Sequence, residues 1–488
     1  MDKIYDLLVI GAGVNGAGIA RDAAGRGLTV ALVDKGDVGG ATSSASTKLL
    51  HGGLRYLEFY DFRLVRKALQ ERERLLGLLP HISWPLSFVL PHQASMRPKW
   101  KIRLGLFLYD HLARRTQVPA SSSVRLRSDS AGQPLKAEYL SGFRYWDGWV
   151  DDSRLVIANA RDAAARGADI FLHQQVITAD YRAPHWHVRL GDGRALMARH
   201  VANCAGPWAD HVARDILQLS DAPNLRLVQG AHIIVRRIGS GKDAYMLQQP
   251  DGRIIFMIPY EGQYTLIGTT ETPVDSPTDV HMREAERDYL LEAVNRYLQR
   301  PLTSADIVHH YAGVRPLVME NDKDARETTR DWRLVHHADA PATTVVGGKI
   351  TTYRRLAEQM VNQLAPDRPG WTDDVPLPGG DVPRDKGESG QAAFARWCAD
   401  LALRHPLYDR ALLTRLTRLY GTETEAMLEN GLGAKIGGLF EAEMRHMVDK
   451  EWARTAEDIL WRRTKMGLHL SRDDQQAIGL WLADQALG

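Results

Sequence analysis

The amino-acid sequence predicts an α/β protein in three parts: a parallel sheet wound with helices, an antiparallel sheet inserted into it, and an all-helical C-terminal region. Three observations carry this expectation. A strand–glycine turn–helix–strand unit opens the chain, and a second strand–glycine–helix unit recurs after residue 340. Between them lie short runs of branched and apolar residues separated by Gly/Asp turns. At 488 residues, the chain can supply two to four domains with sizeable cores.

Residues 5–10 are an apolar run rich in branched side chains, the mark of a buried parallel strand. Gly11-Ala12-Gly13-Val14-Asn15-Gly16 follows at once, then helical spacing (Ile19, Ala23, Ala24) runs to Gly25 and Gly27. A second apolar run, 30–33, ends in Asp34. In such a Rossmann-like βαβ unit Gly11 makes the tight turn and Gly13 lets the backbone approach a pyrophosphate. Gly16 allows close helix–strand packing, and the helix N-terminus faces the negative charge. Asp34 stands where an acid accepts from a ribose 2′-OH. The pattern indicates an adenine dinucleotide without choosing between NAD and FAD.

The net charge of +2 gives no reason to expect nucleic acid. Two distant cysteines, Cys204 and Cys398, make neither a disulfide framework nor a thiolate metal site, which fits reduced thiols in a cytoplasmic compartment. No metal-binding spacing occurs: His309-His310 and His336-His337 are adjacent pairs that point apart on any regular element. The first strand begins at the start of the sequence, so no signal peptide is expected. No apolar run is long enough to span a bilayer.

Residues 42–48, Thr42-Ser43-Ser44-Ala45-Ser46-Thr47-Lys48, are dense in hydroxyls and close on a lysine. They read either as a solvated loop or as a second approach to the pyrophosphate and ribityl chain, the latter favoured by the fingerprint just before them. Asp61 caps a long amphipathic helix ended by Pro80, and 84–90 reads as a strand. Between Arg97 and Arg115 an apolar, aromatic middle (Trp100, Leu104, Phe107, Leu108, Leu112) is flanked by basic residues. Such a segment either lies in a membrane interface or packs on the core with a solvated basic edge. Asp151-Asp152-Ser153 caps a helix over 155–165, and strands are expected at 170–176, 185–190 and 200–205, a meander whose last member returns to the first sheet. The runs 231–235, 253–259 and 264–270 form the inserted antiparallel sheet, followed by a helix over 284–298. The second unit has a strand at 343–346, a turn at Gly347-Gly348 and a helix over 351–364, but no ribose-binding acid. Its helix N-terminus suits electron density developing on a flavin ring. A linker at 379–390 precedes a helical region read as a scaffold, closing with an amphipathic helix over 477–487.

Several of these stretches resemble the FAD-dependent (aerobic, respiratory) glycerol-3-phosphate dehydrogenases of the glycine/D-amino-acid oxidase-like superfamily. They are residues 11–18, the block 42–58, Trp149-Val150-Asp151-Asp152, Gly206-Pro207-Trp208, Gly268-Thr269-Thr270, Gly313-Val314-Arg315-Pro316, Gly347-Gly348-Lys349-Ile350-Thr351-Thr352-Tyr353-Arg354 and, in the helical region, 460–465. The resemblance covers nearly the whole chain, and the block 42–58 is far more specific than the fingerprint. One departure is Asp34, where flavoproteins of this type more often carry glutamate.

The resemblance implies a discontinuous FAD-binding domain (1–75, 150–225, 336–378), a substrate-binding, membrane-facing domain (76–149, 226–335) and a helical domain (385–488). It implies oxidation of sn-glycerol 3-phosphate to dihydroxyacetone phosphate, with electrons passed to a membrane quinone by an enzyme peripheral on the cytoplasmic face of the cell membrane. This raises the interfacial reading of residues 97–115 above its rival. A homo-oligomer is compatible with it, and non-covalent FAD is expected because no His or Cys is marked for flavinylation. Cofactor contacts are implied at Gly11, Gly13, Asn15, Gly16, Asp34 and Lys35, and in the hydroxyl run at Thr42, Ser43, Ser44 and Lys48. Leu50, Gly52, Val176, Ala205, Gly206 and Trp208 follow, then Gly347, Gly348, Lys349 and Thr351.

A phosphorylated polyol needs a compact cationic pocket, for which Arg55, Arg315 and Lys349 are the candidates. Removing the hydroxyl proton needs a base, His232 or His51, with His232 slightly preferred. Tyr56 and Thr270 would orient the substrate. Two rivals stand beside this reading: a soluble FAD-dependent oxidase of a small hydroxy or amino acid using O2, and a membrane-associated flavin-binding protein without turnover.

Overall fold

The computed structural model describes residues 3–54, 57, 60–93, 96–318 and 332–485. Its first sheet has eight strands. Five run parallel, in the order Ala342–Val346, Ala195–Asn203, Ile4–Ile10, Val30–Val33, Asp169–Phe171. Arg333–His336 closes one edge antiparallel, and the hairpin Val176–Arg182/His185–Leu190 leads antiparallel into Ala195–Asn203. Leu7, Leu8, Val9 and all of Val30–Val33 are fully buried because both faces of this sheet are covered. Ile19, Val156, Ile157, Leu356 and Met360, from the helices Val14–Gly25, Asp152–Ala165 and Tyr353–Leu364, pack in one core. Trp186 and Val188 of the hairpin, with Val212 and Leu217, build the other.

The meander and its returning strand are as the sequence predicts. The strand expected over 170–176 instead stops at Phe171, and a new one starts at Val176. His173 between them has a φ of +55°, a left-handed conformation that breaks extended pairing.

The second sheet has ten strands drawn from residues 49–150 and 225–318. Its pairs are antiparallel except where Ala244–Gln248 lies parallel to Ser83–His92. The three predicted runs are strands here, as Leu225–Arg236, Ile254–Tyr260 and Tyr264–Gly268. Alternation sorts their side chains. Ile233, Val235 and Ile267 pack with Leu290 and Val294 of the helix Glu284–Asn295, whereas Ile234 and Leu266 pack with Leu69, Leu106 and Tyr109. The strand Ser141–Val150 escapes the sequence reading because Gly142, Arg144, Asp147 and Gly148 mask its pattern. Leu49–Leu50 pairs with it, so the chain enters this second sheet directly after the hydroxyl run.

Both predicted caps form: the Asp61 carboxylate accepts from Leu64 N (3.1 Å) and that of Asp151 from Arg154 N (3.2 Å). From Gly390 the chain is helical apart from a short ladder of Lys435–Ile436 on Leu439–Phe440. The last helix begins earlier than expected, at Arg472. Ion pairs join this region to the first sheet's helices and loops: Arg154 to Glu451 (2.6 Å), Arg161 to Glu423 (2.7 Å), Arg462 to Asp37 (2.7 Å) and Lys465 to Asp151 (3.2 Å).

Candidate active site

The strand order reverses at Ile4–Ile10: the chain adds Val30–Val33 on one side of it and later returns to add Ala195–Asn203 on the other. Open α/β sheets bind ligands outside the carboxyl ends of their strands at such a point. Here Gly11, Asp34, Cys204 and Gly347, each following one of four adjacent strands, line a single cavity of about 1040 Å³.

One end of the cavity is built mainly from backbone. Gly11 has a φ of +107°, and a Cβ there would lie 2.4 Å from the Cys204 carbonyl oxygen. A Cβ on Gly16 would lie 1.9 Å from the Gly11 oxygen, so this turn and helix meet only as glycines. The Ser43 hydroxyl accepts from Val14 N (3.0 Å) at the start of the helix, and Asn15 Nδ2 donates to the Gly347 carbonyl (3.2 Å), tying the two glycine turns together. The Asp34 carboxylate accepts from Ala12 N (2.6 Å) and Gly36 N (2.8 Å), and burial pushes its pKa up. The Lys35 ammonium sits 3.7 Å from the Trp208 ring centre, with Val176, Ala205 and Gly206 along the same cavity.

The other end is built from side chains. His232 and Arg315 stand on the paired strands Leu225–Arg236 and Ile307–Val318, His51 follows Leu49–Leu50, and Lys349 follows the second glycine turn. Arg315 Nη2 donates to the Thr270 carbonyl (3.1 Å), and Nη1 lies 3.7 Å from Glu271. A Cβ on Gly230 would reach within 2.8 Å of Arg315 Nη2. His232 stacks on Tyr311 (4.8 Å), its Nε2 shares a hydrogen bond with Thr47 Oγ1 (2.9 Å), and Gly268 leaves room for its ring. Burial holds His232 well below the usual imidazole range, with Lys48 and Arg315 adding to the effect. It is therefore neutral at neutral pH.

Not every expected residue faces the cavity. Lys48 is buried in an ion pair with Asp152 (2.6 Å), within 5.3 Å of the Tyr311 ring centre. The Thr270 hydroxyl donates to Glu286 (2.7 Å) and accepts from Ala231 N (2.9 Å), so only its carbonyl serves the site, by holding Arg315. Ser44 donates to the Ala41 carbonyl, Leu50 is core, and Gly52 lies against Leu69 and Tyr109. Thr42 does line the cavity, its hydroxyl donating to the Val314 carbonyl (2.6 Å), as do Gly13, Gly348 and Thr351. Arg55 and Tyr56 lie outside the described residues. Sequence reasoning missed Thr47 and Glu271 as site residues; Thr47 was visible within the hydroxyl run, but its partner is 185 residues away. It also missed Thr455, Asp458 and Arg462, which line the cavity from the C-terminal region.

A glycine cradle at a helix N-terminus, a buried acid at the end of the second strand, and a neutral histidine beside cations define a dinucleotide-dependent oxidoreductase. The cradle is spaced for a pyrophosphate, and the cavity continues from it past the second glycine turn, as a long flavin dinucleotide requires. Residues 6–354 match the model of the FAD dependent oxidoreductase family, and residues 371–479 that of the C-terminal domain of alpha-glycerophosphate oxidase. The chain is 46% identical to a D-erythritol 1-phosphate dehydrogenase of Brucella abortus, covering 98% of this chain and 97% of that one. It is 45% identical to a glycerol-3-phosphate dehydrogenase of Pseudomonas aeruginosa, covering 99% and 96%. A glycerol-3-phosphate dehydrogenase from Bacillus halodurans, solved with FAD, superposes with a TM-score of 0.76 at 27% identity, covering 99% of this chain and 91% of that one. The chain belongs to the FAD-dependent oxidoreductases, in their glycerol-3-phosphate dehydrogenase family, and its cofactor is FAD.

Proposed function

We propose that the enzyme oxidises sn-glycerol 3-phosphate to dihydroxyacetone phosphate and hands the electrons to a membrane quinone. The observation that carries this is that Arg315, Lys349 and a buried, neutral His232 line the one dinucleotide cavity, with Arg315 close enough to His232 to act on its charge. FAD, when bound, supplies the acceptor for the hydride leaving the carbinol carbon. Arg315, steadied by the Thr270 carbonyl, and Lys349 grip the phosphate dianion. His232, held at Nε2 by the Thr47 hydroxyl, takes the hydroxyl proton as the hydride leaves; His51 is the alternative base. In this reading Arg55 is the third member of the clamp and Tyr56 orients the substrate.

The membrane part of the proposal rests on the helix Lys99–His111. It buries Leu106, Tyr109 and Asp110 but leaves Trp100 65%, Leu104 51% and Phe107 51% exposed. These three lie on one helical face, with Leu108 at its edge, while Leu112 packs on the core. Lys99 and Lys101 flank the face, and Arg97, Arg103, Arg114 and Arg115 are near in sequence. An apolar face edged with cations suits an anionic lipid surface, and its exposure disfavours the core-packed alternative. No helix among the described residues is long and apolar enough to cross a membrane.

The name of the Brucella relative favours a second reading, D-erythritol 1-phosphate, which adds one CHOH to the same phosphorylated polyol pattern. Anaerobic mixing of the holoenzyme with each ester decides between them. Bleaching of the flavin absorbance by glycerol 3-phosphate at the higher kcat/KM supports the first reading, and the reverse order supports the second. A flavin left oxidised by both, or turnover that yields stoichiometric hydrogen peroxide without quinone or dye, sinks the proposal.

A further inference from the structure

The C-terminal region reaches the dinucleotide cavity at a definite place. Thr455, Asp458 and Arg462 line it together with Asp34, Gly36, Asp37 and His173. That is the end where the ribose-binding acid stands: Gln174 N donates to the Asp34 carbonyl (2.8 Å) and His173 N to the Gly36 carbonyl (2.9 Å). Oxygen and nitrogen atoms of Asp37, His173 and Asp458 converge within 4.8 Å. The two carboxylates are already answered by guanidinium groups. Arg462 Nε donates to Asp37 (2.7 Å), Arg463 Nη2 to the same carboxylate (2.8 Å), and Arg462 Nη2 to Asp458. Arg463 is fully buried.

The helical turn Asp458–Arg463 is itself well fixed. The Asp458 carboxylate accepts from Arg454 N and Thr455 N (2.8 Å each), and Asp458 N donates to Thr455 Oγ1 (3.2 Å). Asp37 begins the loop that continues through Gly39, whose amide donates to the Ala12 carbonyl (2.9 Å), and on to Ser43 at the fingerprint helix. The loop that shapes the pyrophosphate cradle is thus pinned at one side by the cradle and at the other by the C-terminal turn.

We propose that this turn is the closing wall of the adenosine half of the FAD site, with Arg462 as the cofactor-facing cation, so that cofactor binding and docking of the C-terminal region are coupled. Coupling of this kind is reciprocal: whatever the turn adds to FAD affinity, FAD adds to the docking of the turn. The inference rests on the cofactor alone and stands whichever alcohol is oxidised.

Three measurements on the full chain test it. Arg462→Gln is expected to raise the Kd of apoprotein for FAD, read by flavin fluorescence, about ten-fold, the usual weight of a charge-assisted contact. The same variant is expected to weaken binding of ADP, a probe of the adenosine half alone, by a similar factor, while Arg445→Gln, on an exposed pair with Glu441, changes neither. In the unaltered chain, adding FAD to apoprotein is expected to slow amide exchange across residues 454–465 several-fold, a readout that needs no variant to fold. Wild-type FAD affinity in Arg462→Gln, a loss seen for FAD but not ADP, or equal exchange rates with and without FAD would each overturn the proposal.

Discussion

The two ends of the cavity are made by different means. The dinucleotide end comes from contiguous chain: Gly11 to Gly16 and Asp34 hold their places through backbone geometry and amide hydrogen bonds. The other end is lined by residues 51, 232, 315 and 349, of which His232 is held by Thr47 and Arg315 by the Thr270 carbonyl, partners far away in sequence. A backbone site tolerates almost no added atom but leaves its side chains free to vary. A side-chain site tolerates change in the backbone around it but depends on each head group.

The contrast can be broken most severely at the backbone end. Gly16→Ala sets a methyl 1.9 Å from a carbonyl oxygen that cannot yield without opening the turn. The expected product binds no FAD, seen as loss of the absorbance near 450 nm; a yellow, folded variant would refute the cradle. At the side-chain end, His232→Ala is expected to keep its flavin and lose about 10²–10⁴-fold in kcat, the usual worth of a general base. Arg315→Ala should cost about 10²–10³-fold in kcat/KM, mostly through KM, because a charged partner of the substrate is lost. Equal losses of flavin in these two variants would erase the distinction between the ends.

Acid sharpens the comparison further. Burial pulls His81 down to about 3 and His200 to about 4, and holds His232 well below the usual range. Each stays neutral in the folded chain but takes a proton in the unfolded chain below about pH 6.5. The unfolded state then binds more protons, so stability is present above that pH and falls as pH drops towards 4, by up to about 1.4 kcal/mol per pH unit for each histidine. Denaturant titrations at pH 7 and pH 5 check this, and greater stability at pH 5 would contradict it. The smallest effect is expected at the surface: Trp100→Ala with Phe107→Ala should lower partition onto anionic vesicles about ten-fold or more. Turnover with a soluble dye should be unchanged.

The legibility of the sequence follows the same division. The fingerprint, the second glycine unit, the Asp61 and Asp151 caps and the inserted runs could be read because each is a local pattern of apolar period, turn residue or cap. His232 and Arg315 were legible as candidates beside glycines, but not the Thr47 contact or the Thr270 carbonyl that set their orientation. Lys48 and Thr270 show the limit. By composition both suit a site, yet a buried carboxylate from another element claims each polar head, Asp152 for one and Glu286 for the other.

By itself, then, the sequence determined where the chain turns, which strands are buried on both faces, and that a glycine turn opens onto a helix N-terminus, since those depend on residues within reach along the backbone. Only the tertiary structure decided which hydroxyls and cations face the cavity, and that a helical turn more than 400 residues from the fingerprint lines it as well. The reason is physical: a polar side chain takes whichever partner the packed elements bring to it, and that choice exists only once distant strands and helices have met.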